Sequence, residues 1–157
     1  MRTRLTFISH SPSQTKKIGE RLGRKLQAGD VVALQGELGA GKTTLAKGLA
    51  KGLGVRTEKS VCSPTFVLIH EYQGREKIYH LDWYRLRSVR DADEDLAREC
   101  FQAHAVTLVE WPERGRRLLP AQTLRIRLSH QGRELRRLQF LFPAQIRARL
   151  RRALKAK

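Results

Sequence analysis

Cysteine and tryptophan are scarce in this sequence, two of each in 157 residues. Two thiols, Cys62 and Cys100, cannot build a disulfide framework or a four-ligand structural zinc site, so small secreted scaffolds and zinc modules are excluded and reduced thiols inside a cell are expected. Long hydrophobic runs are missing as well. No stretch approaches the roughly 18 consecutive apolar residues of a membrane span, and Met1 to Ser9 lacks the apolar segment of a signal peptide. A cytoplasmic protein with no membrane partner is the expectation. Acidic residues are few: 15 Asp and Glu face 32 Lys and Arg, for a formal net charge of +17. Residues 1–113 hold 18 basic and 14 acidic side chains, net +4, whereas residues 114–157 hold 14 basic ones against Glu134 alone, net +13. A basic end of this kind draws polyanions by counterion release, and RNA fits it. An arginine-rich surface with no ligand accounts for the composition equally well, because basic and aromatic residues are not interleaved as in a nucleic-acid reader. The length predicts a single domain over residues 1–157, too short for a nucleotide domain with a separate substrate domain.

What is present is sharper. Gly36-Glu37-Leu38-Gly39-Ala40-Gly41-Lys42-Thr43 satisfies G-x-x-x-x-G-K-[ST], the phosphate-binding loop. It follows the β-branched run Val31-Val32-Ala33-Leu34 and precedes Leu45, Leu49 and Leu53 at helical spacing, so a strand feeds a glycine turn that opens a helix. In that setting the backbone N–H groups of Gly36, Gly39, Ala40 and Gly41 turn toward phosphate oxygens at the positive end of the helix. Lys42 reaches the β- and γ-phosphates and Thr43 offers its hydroxyl to magnesium. Thr44 follows in the same first turn.

The remaining pattern alternates strands and helices. Thr3 to Ile8 reads as an edge strand. Ser11-Pro12-Ser13-Gln14 reads as a capping box for a helix with Ile18, Leu22 and Leu26 on one stripe, ended by Ala28-Gly29-Asp30. Phe66 to Tyr72 and Lys77 to Asp82 flank Gln73-Gly74-Arg75 as a hairpin inserted after the first crossover. The acidic run Asp91 to Asp95 suits the start of a short helix through Phe101. Ala105 to Val109 is a second buried strand, and Gln122 to Ser129 with Arg133 to Phe142 forms a further pair around Gln131-Gly132. Pro143 opens a basic terminal helix carrying Ile146, Leu150 and Leu154.

A phosphate loop needs an acid to hold magnesium, normally at the tip of a neighbouring strand. Glu110 ends the buried strand and takes that place. Asp82 ends the hairpin's second strand and either orients water or completes the magnesium shell. Ser63-Pro64-Thr65 lies between the loop helix and the hairpin, where other nucleotide hydrolases keep a segment that senses the γ-phosphate. Trp111 either stacks on a base, a ribose or a partner or is simply packed. His70, His80 and His104 show no metal-ligand spacing.

These pieces occur together, and together they resemble the TsaE family, the small ATPase of bacterial threonylcarbamoyladenosine tRNA modification. The matching segments are the phosphate loop through Thr44, Ser63-Pro64-Thr65, Tyr79-His80-Leu81-Asp82-Trp83-Tyr84-Arg85-Leu86, and Val109-Glu110-Trp111-Pro112-Glu113-Arg114-Gly115. Trp83 stands where a smaller or aliphatic residue is expected, and residues 95–102 lack the usual Leu-Gly; both departures touch packing. The resemblance implies an α/β, P-loop NTPase-like three-layer fold, with a central mixed sheet and an inserted β-hairpin that carries Asp82. It implies ATP and Mg²⁺ as cofactors, and ATP hydrolysis in a complex with TsaD and TsaB homologues that sustains turnover, the threonylcarbamoyl transfer itself belonging to TsaD. In those terms Asp82, Lys42 and Thr65 are catalytic, Thr43 and Glu110 hold the metal, and Ser63 and Trp111 shape the switch or partner side. Thr15 and Gly132 border the adenine. No arginine finger is singled out among Arg85, Arg114 and Arg116. A small-molecule or nucleotide kinase and a nucleotide-dependent RNA-binding module are the competing readings.

Overall fold

The computed structural model describes residues 3–56, 61–64, 69–86, 94–102 and 104–155. Strand β1 (Thr3–Ser9) leads into helix α1 (Pro12–Gly23), whose N-cap Ser11 accepts the N–H of Gln14 at 3.1 Å, with Pro12 in the first turn. Gln14 reaches back one residue further than a capping box requires and accepts from the His10 N–H at 2.6 Å. The helix ends earlier than its stripe predicts. After Gly23 the chain tightens, Lys25 N–H bonding Leu22 O and Leu26 N–H bonding Gly23 O, and this i→i−3 turn swings Leu26 into the core at 0% exposure although it has left the helix.

Strand β2 (Val31–Gln35), the glycine loop and helix α2 (Lys42–Gly52) follow in the expected order. Strands β3 (Ile69–Gln73) and β4 (Lys77–Asp82) pair antiparallel; Phe66 to Leu68, expected to begin this hairpin, lie outside the described residues. Helix α3 (Glu94–Gln102) carries Glu94 and Asp95 in its first turn, and Asp91 to Asp93 also lie outside the description. Strand β5 (Ala105–Glu110) is buried at every position, as a strand covered on both faces must be. Strand β6 (Leu124–His130) begins two residues later than expected, because the Thr123 N–H and hydroxyl both bond Pro120 O and hold the chain in a turn. It pairs with β7 (Arg136–Phe142). Helix α4 (Arg147–Lys155) starts after a turn that follows Pro143, and Arg149 grips Asp30 through two 2.8 Å bonds.

The seven strands form one mixed sheet in the order β1-β7-β6-β2-β5-β4-β3. The four central strands β6, β2, β5 and β4 run parallel, and the antiparallel strands lie outside them. On one face α1, α2 and α4 pack through Leu22, Leu45, Leu49, Leu150 and Leu154 onto Leu34, Leu108, Ile126 and Phe140. On the other, Ala97 and Cys100 of α3 pack with Leu119 and Trp83 onto Ala33 and Val109. The fold is therefore helix, sheet, helix in three layers. Trp83 is 3% exposed and sets its ring edge-on to Phe101 at 6.3 Å, which absorbs the larger residue at that position into the core.

Helices α1 and α2 cross at backbone contact. A Cβ placed on Gly48 would stand 2.3 Å from Lys16 O, and one on Gly23 2.3 Å from Leu49 O. Carbonyls inside a helix cannot yield. Gly48→Ala is expected to destabilise the protein by about 3 kcal/mol, the upper end of ordinary overpacking, read as a lower urea midpoint in chemical unfolding. This crossing seats α2, and with it the loop that α2 terminates.

Candidate functional site

The site lies where the parallel strands end. β2 delivers the glycine loop, β4 delivers Asp82 and β5 delivers Glu110. The register pairs Asp82 with Glu110 on adjacent parallel strands, which sets the two carboxylates side by side at the carboxyl edge of the sheet, where open α/β folds bind ligands.

The loop itself depends on glycine at Gly39 and Gly41, with φ of +75° and +101°, conformations that cost a residue with a Cβ. Gly41 is also the N-cap of α2 and supplies no side-chain cap. The contrast with α1, capped by Ser11, is chemical. The first-turn N–H groups of α2 remain available to an anion, and Lys42 stands in that turn where an acid would otherwise be favoured.

Lys42 is 6% exposed. Its ammonium donates to Gly36 O at 2.6 Å and Glu37 O at 2.8 Å and sits 3.9 Å from the centroid of the Trp111 ring. Burial pushes its pKa below the ordinary lysine value, while the nearby charges of Glu110, Glu113 and Asp82 oppose that shift. Trp111 reaches this position by an unusual backbone: at φ 57° and ψ 47° it is the one non-glycine residue with positive φ among the described residues. Such a conformation costs on the order of 1 kcal/mol or more and is kept where surrounding structure enforces it. Here Glu110 is fixed at the strand end, Pro112 begins a 3-10 turn (Pro112–Gly115), and Tyr84 packs on the indole at 4.8 Å. Trp111 is thus neither a plain core residue nor an exposed one, because it is the aromatic wall behind Lys42.

Thr43 Oγ1 lies 3.3 and 3.4 Å from the two oxygens of Glu110. Glu110 is 2% exposed, and His80 Nε2 stands 2.9 Å from its Oε1. Asp82, 4% exposed, accepts the Tyr84 N–H at 2.8 Å and the Ser63 hydroxyl. A cleft of about 310 Å³ is lined by Gly39, Gly41, Lys42, Thr43, Thr44, Ser63, Asp82, Glu110 and Trp111, with Leu38 and Tyr84 at its edge.

Most residues singled out in the sequence therefore converge. Thr65 lies outside the described residues. Thr15 does not line this cleft: it is 1% exposed and its hydroxyl is 2.7 Å from Ser9 Oγ. Gly132 sits on the exposed β6–β7 turn, which leans on the phosphate loop through Arg136, a donor to Gly132 O at 3.5 Å and Gly39 O at 3.4 Å. Two participants lay inside the matching segment Tyr79 to Leu86 without being given a role there, His80 and the Tyr84 N–H. His80 was legible in principle, since residues two apart on a strand share a face and His80 must therefore look the same way as Asp82.

The family model described as threonylcarbamoyl adenosine biosynthesis protein TsaE matches residues 9–138. The chain belongs to the TsaE family. Curated TsaE proteins, each described as a tRNA threonylcarbamoyladenosine biosynthesis protein, are similar to it along most of its length. That of Treponema pallidum is 46% identical over 121 residues, covering 77% of this chain and 88% of the relative. That of Bacillus subtilis is 41% identical over 138 residues, covering 87% and 84%. The crystal structure of YdiB from Bacillus subtilis superposes with a TM-score of 0.83 at 33% identity, covering 98% of this chain and 95% of YdiB. The TsaE match spans the phosphate loop, both carboxylates and Trp111. Among the described residues no helix is long and apolar enough to cross a membrane.

Proposed function

We propose that the chain is an ATP hydrolase of tRNA threonylcarbamoyladenosine biosynthesis, weak alone and stimulated by TsaD and TsaB homologues, whose turnover it sustains. The observation that carries this reading is the convergence of Lys42, Thr43, Glu110 and Asp82 on one cleft at the uncapped start of α2. Phosphoryl transfer asks for positioned water and neutralised charge more than for covalent chemistry, and this set offers both. The N–H groups of the loop and Lys42 bind the phosphates.

The donor set also fits magnesium. A threonine hydroxyl and a buried carboxylate within 3.4 Å of each other are hard oxygen ligands. Magnesium prefers such sparse sites, completed by phosphate and water. Thr43 and Glu110 would hold the ion, which supplies neutralisation of the phosphate charge. Asp82, with one oxygen held by Ser63 and the other by the Tyr84 N–H, is the carboxylate that orients the attacking water. Thr65 and Ser63 belong to the segment that responds to the γ-phosphate. Gly132 borders the adenine side through the turn that rests on Gly39, whereas Thr15, buried against Ser9, is left without that role.

RNA enters this reading through the opposite face of the sheet. There Arg4, Arg116, Arg125 and Arg127, against the one carboxylate of Glu113, surround a hollow of about 280 Å³ with Gln35 and Gln139, a net-positive arrangement suited to tRNA phosphates whose binding would weaken steeply with salt.

The test is phosphate release by the purified chain, alone and with TsaD and TsaB homologues. Stimulation by the pair, with phosphate appearing in solution, is expected. Phosphate transferred to an added acceptor would establish the kinase reading instead.

A further inference from the structure

His80 is fully buried at 0% exposure, and nothing in the proposed reaction uses it. Its surroundings form a continuous line. His80 Nε2 lies 2.9 Å from Glu110 Oε1 and its Nδ1 3.4 Å from the Tyr72 hydroxyl, which donates to Cys62 O at 3.1 Å. His70 Nδ1 stands 3.2 Å from the same hydroxyl. An ionised carboxylate only accepts, so the His80 proton belongs on Nε2 and Nδ1 is an acceptor; Tyr72 has one hydroxyl proton, which serves Cys62 O or His80 Nδ1 in turn, while its ring packs beside the imidazole at 6.0 Å. Among the described residues, two side chains hold the Glu110 carboxylate. The Thr43 contact is long and nearly equal to both oxygens; the His80 contact has ordinary length and picks one oxygen. His80 therefore sets the rotamer of a flexible glutamate, and Thr43 straddles the carboxylate so presented.

The other end of the line is equally specific. Cys62 is followed by Ser63, whose hydroxyl binds Asp82. Both carboxylates of the cleft are thus tied to one short stretch, Val61 to Pro64: Asp82 directly, Glu110 through His80 and Tyr72. Sequence spacing alone could not show this, because Tyr72, His80 and Glu110 come from three strands and meet only through the β3-β4-β5 register.

The geometry points to His80 as a positioning residue for Glu110, with Tyr72 as the strut that couples this carboxylate to Cys62 and Ser63. The inference rests on the proposed reading only where it calls Glu110 a magnesium ligand. Hydrogen-bond partners of metal-binding carboxylates and histidines commonly influence metal affinity by about 10- to 100-fold.

The test uses the full chain with ADP and Mg²⁺ as probes, by calorimetry in magnesium and in EDTA, for His80→Leu, His80→Gln and Tyr72→Phe. His80→Leu is expected to weaken apparent Mg²⁺ affinity about 10- to 100-fold while ADP affinity in EDTA stays within about twofold. His80→Gln, whose amide N–H can take the Nε2 place, is expected to recover most of the loss, and Tyr72→Phe to show a smaller loss of the same kind. Equal losses for His80→Leu and His80→Gln overturn the proposal, as does an unchanged Mg²⁺ affinity in a folded His80→Leu protein. If His80→Leu does not fold, Tyr72→Phe and His80→Gln decide by the same measurements. A metal-free crystal structure of Tyr72→Phe supplies a separate readout. A His80 ring and Glu110 carboxylate left in place sink the coupling even if wild-type ADP binding proves indifferent to Mg²⁺, a result that would instead overturn Glu110 as a magnesium ligand and leave the hydrolase reading to phosphate release.

Discussion

Asp82→Asn is expected to lower phosphate release by about 100-fold or more, while ATP affinity stays within about threefold. The asymmetry follows from where Asp82 sits. It faces the cleft at the end of β4 beside Glu110, its oxygens held by the Ser63 hydroxyl and the Tyr84 N–H, and it makes no part of the glycine loop proposed to hold the phosphates. Positioned general bases typically contribute about 10²- to 10⁴-fold to rate, whereas binding rests on the loop, Lys42 and the start of α2. Asparagine keeps the size, its Oδ1 can accept the Tyr84 N–H, and its amide N–H then faces the Ser63 hydroxyl oxygen, which can turn to accept, so the fold should survive. Phosphate release and calorimetric ATP binding on the same preparation separate the two effects. Equal loss of affinity and rate would mean that Asp82 binds rather than activates.

Lys42→Ala should do the reverse, raising the Kd for ATP by at least about 100-fold. Charge-assisted hydrogen bonds contribute about 1.5–3 kcal/mol each, and Lys42 is placed to make such bonds to phosphate. Its ammonium already bridges Gly36 O and Glu37 O across the loop, so its loss also relaxes the curvature that aims the N–H groups inward. Burial disfavours the charge on Lys42, and phosphate restores the balance in favour of the ammonium. Trp111 supplies an internal check. With the ammonium gone from 3.9 Å above its ring, the indole fluorescence of the free protein should change, and the response to ATP should disappear. Retained affinity in Lys42→Ala would contradict the phosphate-loop assignment.

Much of this was legible in the residues. The octapeptide from Gly36 to Thr43, a β-branched run before it and a leucine-spaced helix after it specify strand, loop and helix by local chemistry alone, because each depends on interactions within a few residues. Ser11 and Pro12 mark the start of α1 for the same reason. Where the reading slipped, a non-local or geometric factor intervened. The spacing of Leu26 continued the stripe of α1, yet a tightened turn carried it into the core by another route. Gln122 and Thr123 have ordinary strand chemistry, but two bonds to Pro120 O keep Thr123 in a turn. The glycines of α1 and α2 gave no sign singly of the backbone crossing that they permit.

Composition, the glycine-loop motif and the strand-end acids determine an α/β chain of the P-loop type, since those signals reside in residue type and short spacing. Which acid faces which hydroxyl, why Trp111 bends into the left-handed region to cover Lys42, and how His80 comes to rest on Glu110 were settled only when β4, β5 and β2 were laid side by side. Sheet register joins residues far apart in the chain, and that pairing is a property of the whole packed core, absent from any local pattern.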